Sequence, residues 1–453
     1  MDKLSRRGLL AGASSLAGGL TVASCTSSGD NTAGTADPAS TSETGTVSIA
    51  GRTREPFDPS DWSSVRAQFA LSDDAHFEAF VLASHPRQVA EAIERHRAAL
   101  DEDTERHVAR TEFDAESAVR QAAAEYLGTR RPSEIALTDS TTMGLGLLYS
   151  GIRVRPDQQV LTTEHEFFST HQAWALRSAR DGVRVRRVRM YDDPAAATAD
   201  EMVSRLVDAV TPATRVVAVT WVHSGTGVKI PVGEIARALE TTNLDRAPED
   251  RALLCVDGVH GFGVEDATVA ELGCDFLVSG THKWLFGPRG TGIIWGRGEA
   301  WAQVDATIPA FEPQSFREWF ADQPPGPMTG IRFTPGGYHT FEHRWAVTEA
   351  FRFHLAIGKD RIAARTHDQA TRLKEGLAEL PDVNLVTPMS AELSAGIVCF
   401  EVAGQTPPDV LGRLADARIV ATVTPYRQQY IRIGPSIITT PEQVDDLIDA
   451  LTP

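Results

Sequence analysis

Lysine is scarce in this chain. Of 44 basic residues among 453, only five are lysine: Lys3, Lys229, Lys283, Lys359 and Lys374. The others are arginine, whose guanidinium stays protonated at neutral pH and cannot serve as an amine nucleophile. Amine chemistry therefore has few places to reside. Cysteine is equally thin, with Cys25, Cys255, Cys274 and Cys399 and no CxxC pair or Cys/His spacing that suits a metal. Past Cys25 three remain, an odd number that excludes a complete disulfide framework in the body. Cys255 and Cys399 lie inside apolar runs and read as buried small hydrophobes. Positive charge is also in deficit. The net charge is −17, and because Lys3, Arg6 and Arg7 outweigh Asp2 near the start, the rest carries −19. A body this acidic offers no basic face to a phosphate backbone, which excludes a nucleic-acid partner. The 42% hydrophobic content leaves ample material for a core, and the length allows two or three domains.

The amino terminus reads as an address. A basic start, a short run of small apolar residues and Val22-Ala23-Ser24-Cys25 form a signal peptide over residues 1–25, too short and too rich in Gly and Ala for a membrane span. Ser5-Arg6-Arg7-Gly8-Leu9-Leu10 resembles a twin-arginine export signal. Val-Ala-Ser-Cys resembles a bacterial lipobox, which implies a lipid anchor at Cys25; the alternative is a plain signal with Cys25 incidental. The expected location is the cell envelope, on the outer face of the cytoplasmic membrane or in the periplasm. Residues 26–59 are Ser, Thr, Gly, Ala and Asp with almost no large apolar residue, a flexible tether.

Beyond the tether, helical spacing over Pro86 to about Asp103 and near Ala115–Leu127 precedes seven β-like runs: Glu134–Thr138, Gln159–Thr163, Val183–Met190, Thr214–Val222, Ala252–Asp257, Asp275–Ser279 and Thr291–Trp295. Helical patterns separate most of them. Strand and helix in alternation predict an α/β fold with a mainly parallel sheet, whose ligands lie beyond the carboxyl ends of the strands.

The chemistry-bearing residues fall at those ends. Asp139-Ser140-Thr141-Thr142 opens a helix after a strand, and its backbone N–H groups and hydroxyls make an anion cradle or a plain N-cap. His165 follows the next strand, placed to stack on an aromatic cofactor or to stand in a loop. Asp257 ends a buried-looking strand, where a carboxylate can hold a proton on a pyridine nitrogen or cap the turn. His260 stands three residues on, within reach of a phenolic oxygen. Lys283 then sits in Ser279-Gly280-Thr281-His282-Lys283-Trp284-Leu285-Phe286-Gly287, either a surface lysine before a turn or the amine that binds pyridoxal 5'-phosphate (PLP) as a Schiff base.

The order of cradle, histidine, aspartate and lysine resembles the class V aminotransferase family of fold-type I PLP enzymes, which includes cysteine desulfurases and isopenicillin N epimerase. The resemblance spans roughly residues 75–450 and is strongest at Val256–His260 and His282–Leu285. It implies the PLP-dependent transferase fold, with a large PLP-binding domain over 60–345 that includes the amino-terminal helical segment. A smaller C-terminal α+β domain over 346–453 would follow, with strands at Gly396–Val402 and Ile419–Val423 and a helix at Pro441–Leu451. Carried over, Lys283 binds the cofactor, and His282, Thr141 and Thr142 contact its phosphate. His165 stacks on the ring, Asp257 pairs with the pyridine nitrogen and His260 stands where many members have glutamine. Arg432, in Tyr430-Ile431-Arg432-Ile433-Gly434, grips the substrate carboxylate; the alternative is a surface arginine on a strand. The family also implies a homodimer.

The chain departs from the desulfurases. Residues 403–431 hold no cysteine, and Ser224 stands where those enzymes tend to have asparagine. Gly280 replaces the serine three before the lysine, with Ser279 or Thr281 as possible substitutes. The segment Gly336-Gly337-Tyr338-His339-Thr340 is the best match to the one that contacts the partner subunit's phosphate. Residues 309–330, rich in Pro and aromatics, form an expected loop over the active site or a dimer loop. The implied function is an exported PLP enzyme acting at the amino-bearing carbon of an amino acid or peptide. An aminotransferase is the first expectation, with an epimerase, a lyase or a peptide-siderophore tailoring enzyme as alternatives. A non-catalytic lipoprotein scaffold is the reading from another class, opposed by the joint presence of Lys283, Asp257 and Arg432.

Overall fold

The computed structural model describes residues 56–452. The expected export signal and lipidation site at residues 1–25, and most of the expected tether, lie outside them. The last tether residues belong to the body instead. Phe57 stacks on Phe353 with ring centroids 5.1 Å apart, and the Pro59 carbonyl accepts from Arg361 Nη1 at 2.6 Å. One aromatic residue in a small-residue stretch is enough to dock the chain before Pro59.

Thirteen strands run through the described residues. β1 (Ala75–His76) comes first. β2 (Ile135–Thr138), β3 (Gln159–Thr163), β4 (Arg184–Val188), β5 (Thr214–Thr220), β6 (Leu253–Asp257), β7 (Phe276–Gly280) and β8 (Gly292–Gly296) form one sheet. β9 (Val383–Leu385) and β10 (Val398–Val402) begin a second. β11 (Ile419–Val420) pairs with β1, and β12 (Thr422–Val423) and β13 (Ile431–Ile433) complete the second sheet.

The large sheet has the order β2-β8-β7-β6-β5-β3-β4. β3 to β7 are mutually parallel, as are β3 and β4, while β8 runs against both its neighbours. The fold is therefore the expected α/β one, and each β-like run overlaps one of its strands, with β7 and β8 ending one residue beyond theirs. The reversal of β8 follows from its connection, since residues 281–291 contain no crossover helix. Central β5 and β6 are buried at every position, as strands covered by helices on both faces must be. The edge strand β4 reads Arg-Val-Arg-Arg-Val and exposes its arginines, which blunts further strand pairing.

This topology sends Thr138, Thr163, Thr220, Asp257 and Gly280 to the same edge, because each ends a strand running in one direction, β2 included since it and β7 both run against β8. Gly292, the first residue of β8, pairs with both Thr138 and Gly280 there.

The helix Arg87–Glu102 lies where expected, but the next runs over Thr104–Leu127 rather than from about Ala115. Its first half is mostly exposed and has no apolar stripe to read. It is started by Asp103, whose carboxylate accepts from Arg106 N at 3.3 Å. The helix Phe341–Ile357 packs on both, and the expected domain division at Ala346 falls inside it. The predicted strand over Ile419–Val423 is split at Ala421. β11 pairs with β1 in the register Ala75↔Ile419, while β12 pairs with β13. The amino-terminal segment thus joins the C-terminal layer, where Phe77 is buried with Leu373 and Ile433.

His354 is buried among Tyr126, Phe286 and Phe353, with neither ring nitrogen hydrogen-bonded among the described residues. Burial pushes its pKa down to about 3, so the ring folds neutral. The stability this contributes is complete above the unfolded value of about 6.5 and is lost as pH falls toward 3. At pH 5 the unfolded state gains about 2 kcal/mol from protonating this residue alone. His354→Leu is expected to lose about 2 kcal/mol less than the parent between pH 7 and pH 5 in urea titrations. Identical pH dependence in the two proteins would refute the buried neutral ring.

Candidate active site

A cavity of about 210 Å³ opens at the carboxyl edge of the large sheet. Its floor comes from the strand ends, one wall from the helix start at Ser140, and another from the C-terminal layer, which contributes Pro425 and Arg432.

Lys283 reaches it from the turn after β7. The other three described lysines are fastened. Lys229 Nζ lies 2.8 Å from Glu265 Oε2, Lys359 Nζ donates to the carbonyls of Tyr126 and Ala267, and Lys374 Nζ donates to Met389 O at 2.8 Å and Ser394 Oγ at 2.7 Å. No hydrogen bond among the described residues holds Lys283 Nζ. The residue is half-buried because it opens on the cavity, yet its amine is desolvated, which lowers its pKa from the ordinary lysine value. The nearby Asp257 charge offsets that lowering in part, and Arg432 adds to it.

Asp257 closes β6 and is 2% exposed. Its Oδ1 accepts from Val259 N at 3.1 Å. Burial raises its pKa, opposed by that hydrogen bond and by Lys283. His260 also lines the cavity, and its Nδ1 accepts from Trp284 Nε1 at 3.3 Å. Burial, with Lys283 and Arg432 nearby, holds His260 neutral, so its proton sits on Nε2.

The helix Thr141–Gly151 opens at the cavity, with Ser140 as N-cap accepting from Met143 N at 3.1 Å. Thr141 and Thr142 both line it, as does His282. Thr141 Oγ1 accepts from Gly280 N at 2.7 Å. A Cβ on Gly280 would come within 2.6 Å of His282 Cε1 and 3.2 Å of Thr141 Oγ1. A side chain at the position where the sequence departs from the desulfurase serine would therefore push the His282 ring from its place.

Arg432, on β13, is 6% exposed. It donates through Nε to Thr422 Oγ1 at 3.2 Å and through Nη1 to the Ser224 carbonyl at 3.3 Å. The guanidinium lies over the Phe80 ring, 4.6 Å from its centroid. It is a fastened cavity arginine, not a surface one.

His165 is the residue that does not join this group. It stacks on Tyr191, with centroids 3.9 Å apart and planes 11° apart, and its Nε2 accepts from Met190 N at 3.2 Å. Phe167 lines the cavity instead. The reason lies in the turn after β3. Glu166 is buried and pinned by the hydroxyls of Thr163 and Thr220, with His165 on one side of it against Tyr191 and Phe167 on the other at the cavity wall. Burial raises Glu166 to about 7, against those two hydrogen bonds.

Sequence reasoning also missed Phe80 and Val81, brought in from the amino-terminal segment, and Thr220, whose position at the end of β5 beside Asp257 was the available signal. The aromatic segment 309–330 does not border this cavity. It holds a helix, Pro313–Phe320, and Phe311 lines a separate cavity of about 280 Å³ with Glu116, Arg120 and Arg344. Gly336 and Gly337 line that second cavity too. Cys255, Cys274 and Cys399 are buried free thiols, and burial pushes the last two up to about 12.

The residues present fit PLP. They supply an unbonded, desolvated amine, a buried carboxylate, a helix start with two threonine hydroxyls and a neutral imidazole, and a glycine at Gly280 that leaves room for the His282 ring.

Comparison with known proteins agrees. Residues 83–446 match the aminotransferase class-V family, and the chain belongs to it. Isopenicillin N epimerase of Streptomyces clavuligerus is 27% identical over 73% of this chain and 82% of its own. A probable cysteine desulfurase of Streptomyces coelicolor is 25% identical over 86% of this chain and 96% of its own. Among solved structures, a mutant of the cystine C-S lyase C-DES with glycine covalently linked to its PLP cofactor superposes with a TM-score of 0.73. It is 21% identical and covers 86% of this chain and 99% of its own.

Proposed function

We propose that this member of the class-V aminotransferase family is an exported PLP-dependent enzyme acting at the amino-bearing carbon of an amino acid or peptide, and that it is an aminotransferase. The observation that carries this reading is the meeting of Lys283, Asp257 and Arg432 in one cavity. When bound, the cofactor supplies a sink for the electron pair released at the substrate's α-carbon.

The chain's residues divide the remaining work. Ser140, Thr141, Thr142 and His282 would hold the phosphate, and Asp257 the ring nitrogen. Lys283 would hold the cofactor covalently until substrate arrives. Its lowered pKa then leaves a larger neutral fraction, which takes a proton from the α-carbon and delivers it elsewhere. Arg432 presents a planar, permanently charged fork to a carboxylate. Export rests on the Ser5–Leu10 and Val22–Cys25 patterns, and a lipid anchor at Cys25 on the second of them.

Desulfuration needs a mobile thiolate, and this site supplies none. The hairpin from 424 to 430 lacks cysteine, and the body's three thiols are buried. Epimerisation is the second reading, favoured by the Streptomyces clavuligerus relative. A panel of amino acids in deuterium oxide separates the two. A transaminase forms the keto acid in the presence of an acceptor keto acid and keeps the configuration of recovered substrate. An epimerase returns deuterated substrate of both configurations with no keto acid. Keto-acid formation is the expected result, and racemised substrate alone would sink the aminotransferase assignment.

A further inference from the structure

The hairpin between β12 and β13 borders one side of the cavity, and a tyrosine in it reaches across to the large sheet's layer. Thr424 N donates to the Tyr430 carbonyl and Tyr430 N to Thr424 Oγ1, both at 2.9 Å, so the segment is turned back on itself. Pro425 lines the cavity. Arg427 is exposed and has no ion pair or hydrogen bond among the described residues.

Tyr426 lies between them. Its hydroxyl is 2.8 Å from Ser224 Oγ, and its ring stands edge-on to Phe167 at 5.9 Å. The ring also lies against Gly225, where an added Cβ would come within 3.1 Å of two ring carbons. Ser224 and Phe167 line the cavity, whereas Tyr426 does not. The Ser224 carbonyl accepts from Arg432. Two hydroxyls that share one hydrogen bond leave one O–H over, and here it belongs to a pair adjoining the carboxylate-binding arginine.

We propose that Ser224 and Tyr426 form a latch that holds the 424–430 hairpin shut over the cavity and makes Tyr426 a positioning residue for the substrate carboxylate at Arg432. Tyr426 acts through Ser224 and Phe167 rather than by touching substrate. The positioning half rests on the cavity being an amino-acid site, as proposed above; the latch does not.

Two measurements decide it. Trypsin cleavage after Arg427, followed by mass spectrometry on cofactor-loaded and cofactor-free protein, reports the hairpin. Tyr426→Phe and Ser224→Ala are each expected to speed cleavage about fivefold, the effect of one net hydrogen bond. The double variant is expected to be no faster than either, because both changes break the same contact. Gly225→Ala, which displaces the ring and spares both hydroxyls, is expected to act likewise. Glycine, with no side chain, is the binding probe. Its dissociation constant, from the visible absorbance of the holoenzyme, is expected to rise about fivefold in Tyr426→Phe with the cofactor's own affinity unchanged. Unchanged cleavage at Arg427 overturns the latch. Faster cleavage with unchanged glycine affinity overturns the positioning role. A parent protein that takes up no PLP overturns the function proposed above, and the trypsin result still judges the latch.

Discussion

Replacing Lys283 with alanine is expected to reduce turnover by about 10²- to 10⁴-fold, the usual worth of a positioned proton-transfer group, and to abolish covalent retention of the cofactor. The parent protein, loaded with PLP and treated with borohydride, should carry the label on the peptide containing Lys283 and on no other lysine. The reason is visible in the other lysines. Lys229 is ion-paired, and Lys359 and Lys374 are engaged by carbonyls and a hydroxyl, so each would have to give up these bonds before its amine could react. Lys283 has no such bond, and desolvation depresses its pKa, which raises the neutral, nucleophilic fraction. A small exogenous amine should restore part of the lost rate, since the cavity and Arg432 remain. A label on a second lysine, or an alanine variant that turns over normally, would remove Lys283 from the centre of the reaction.

Much of this site was legible because a parallel sheet converts strand order into spatial order. Thr141, Thr142, Asp257, His260, His282 and Lys283 follow strand ends that converge on one edge, so their sequence positions already implied a common cavity. His165 shows where such reading stops. The strand end fixes where the turn begins but not which of the next residues faces inward. There Glu166 is buried between two threonine hydroxyls, and Phe167 rather than His165 lines the cavity. Contacts remote in sequence were hidden for a different reason. Phe80 and Val81 line the cavity from a segment whose strand β1 pairs with β11, a register set by packing across most of the chain. Tyr426 was hidden likewise, since its partner Ser224 lies in another layer.

An Arg432→Lys variant is expected to weaken amino-acid binding about 30-fold, and Arg432→Gln about 10³-fold, with much smaller changes in the rate of the bound complex. Lysine keeps the charge and loses one of two charge-assisted hydrogen bonds, worth about 2 kcal/mol; glutamine loses both the fork and the charge, about 4 kcal/mol. The confounding role is structural, because Arg432 also holds Thr422, the Ser224 carbonyl and the Phe80 ring. Comparing glycine with methylamine isolates the carboxylate contribution. If the arginine grips the carboxylate, the variants should bind methylamine as the parent does and lose affinity only for glycine. Equal losses for both amines would make Arg432 a brace for the cavity wall. Circular dichroism and tryptic cleavage at Arg427 report whether that wall has moved. A wall that stays in place while glycine alone is lost leaves carboxylate recognition as the remaining account, because the two probes differ by that group alone.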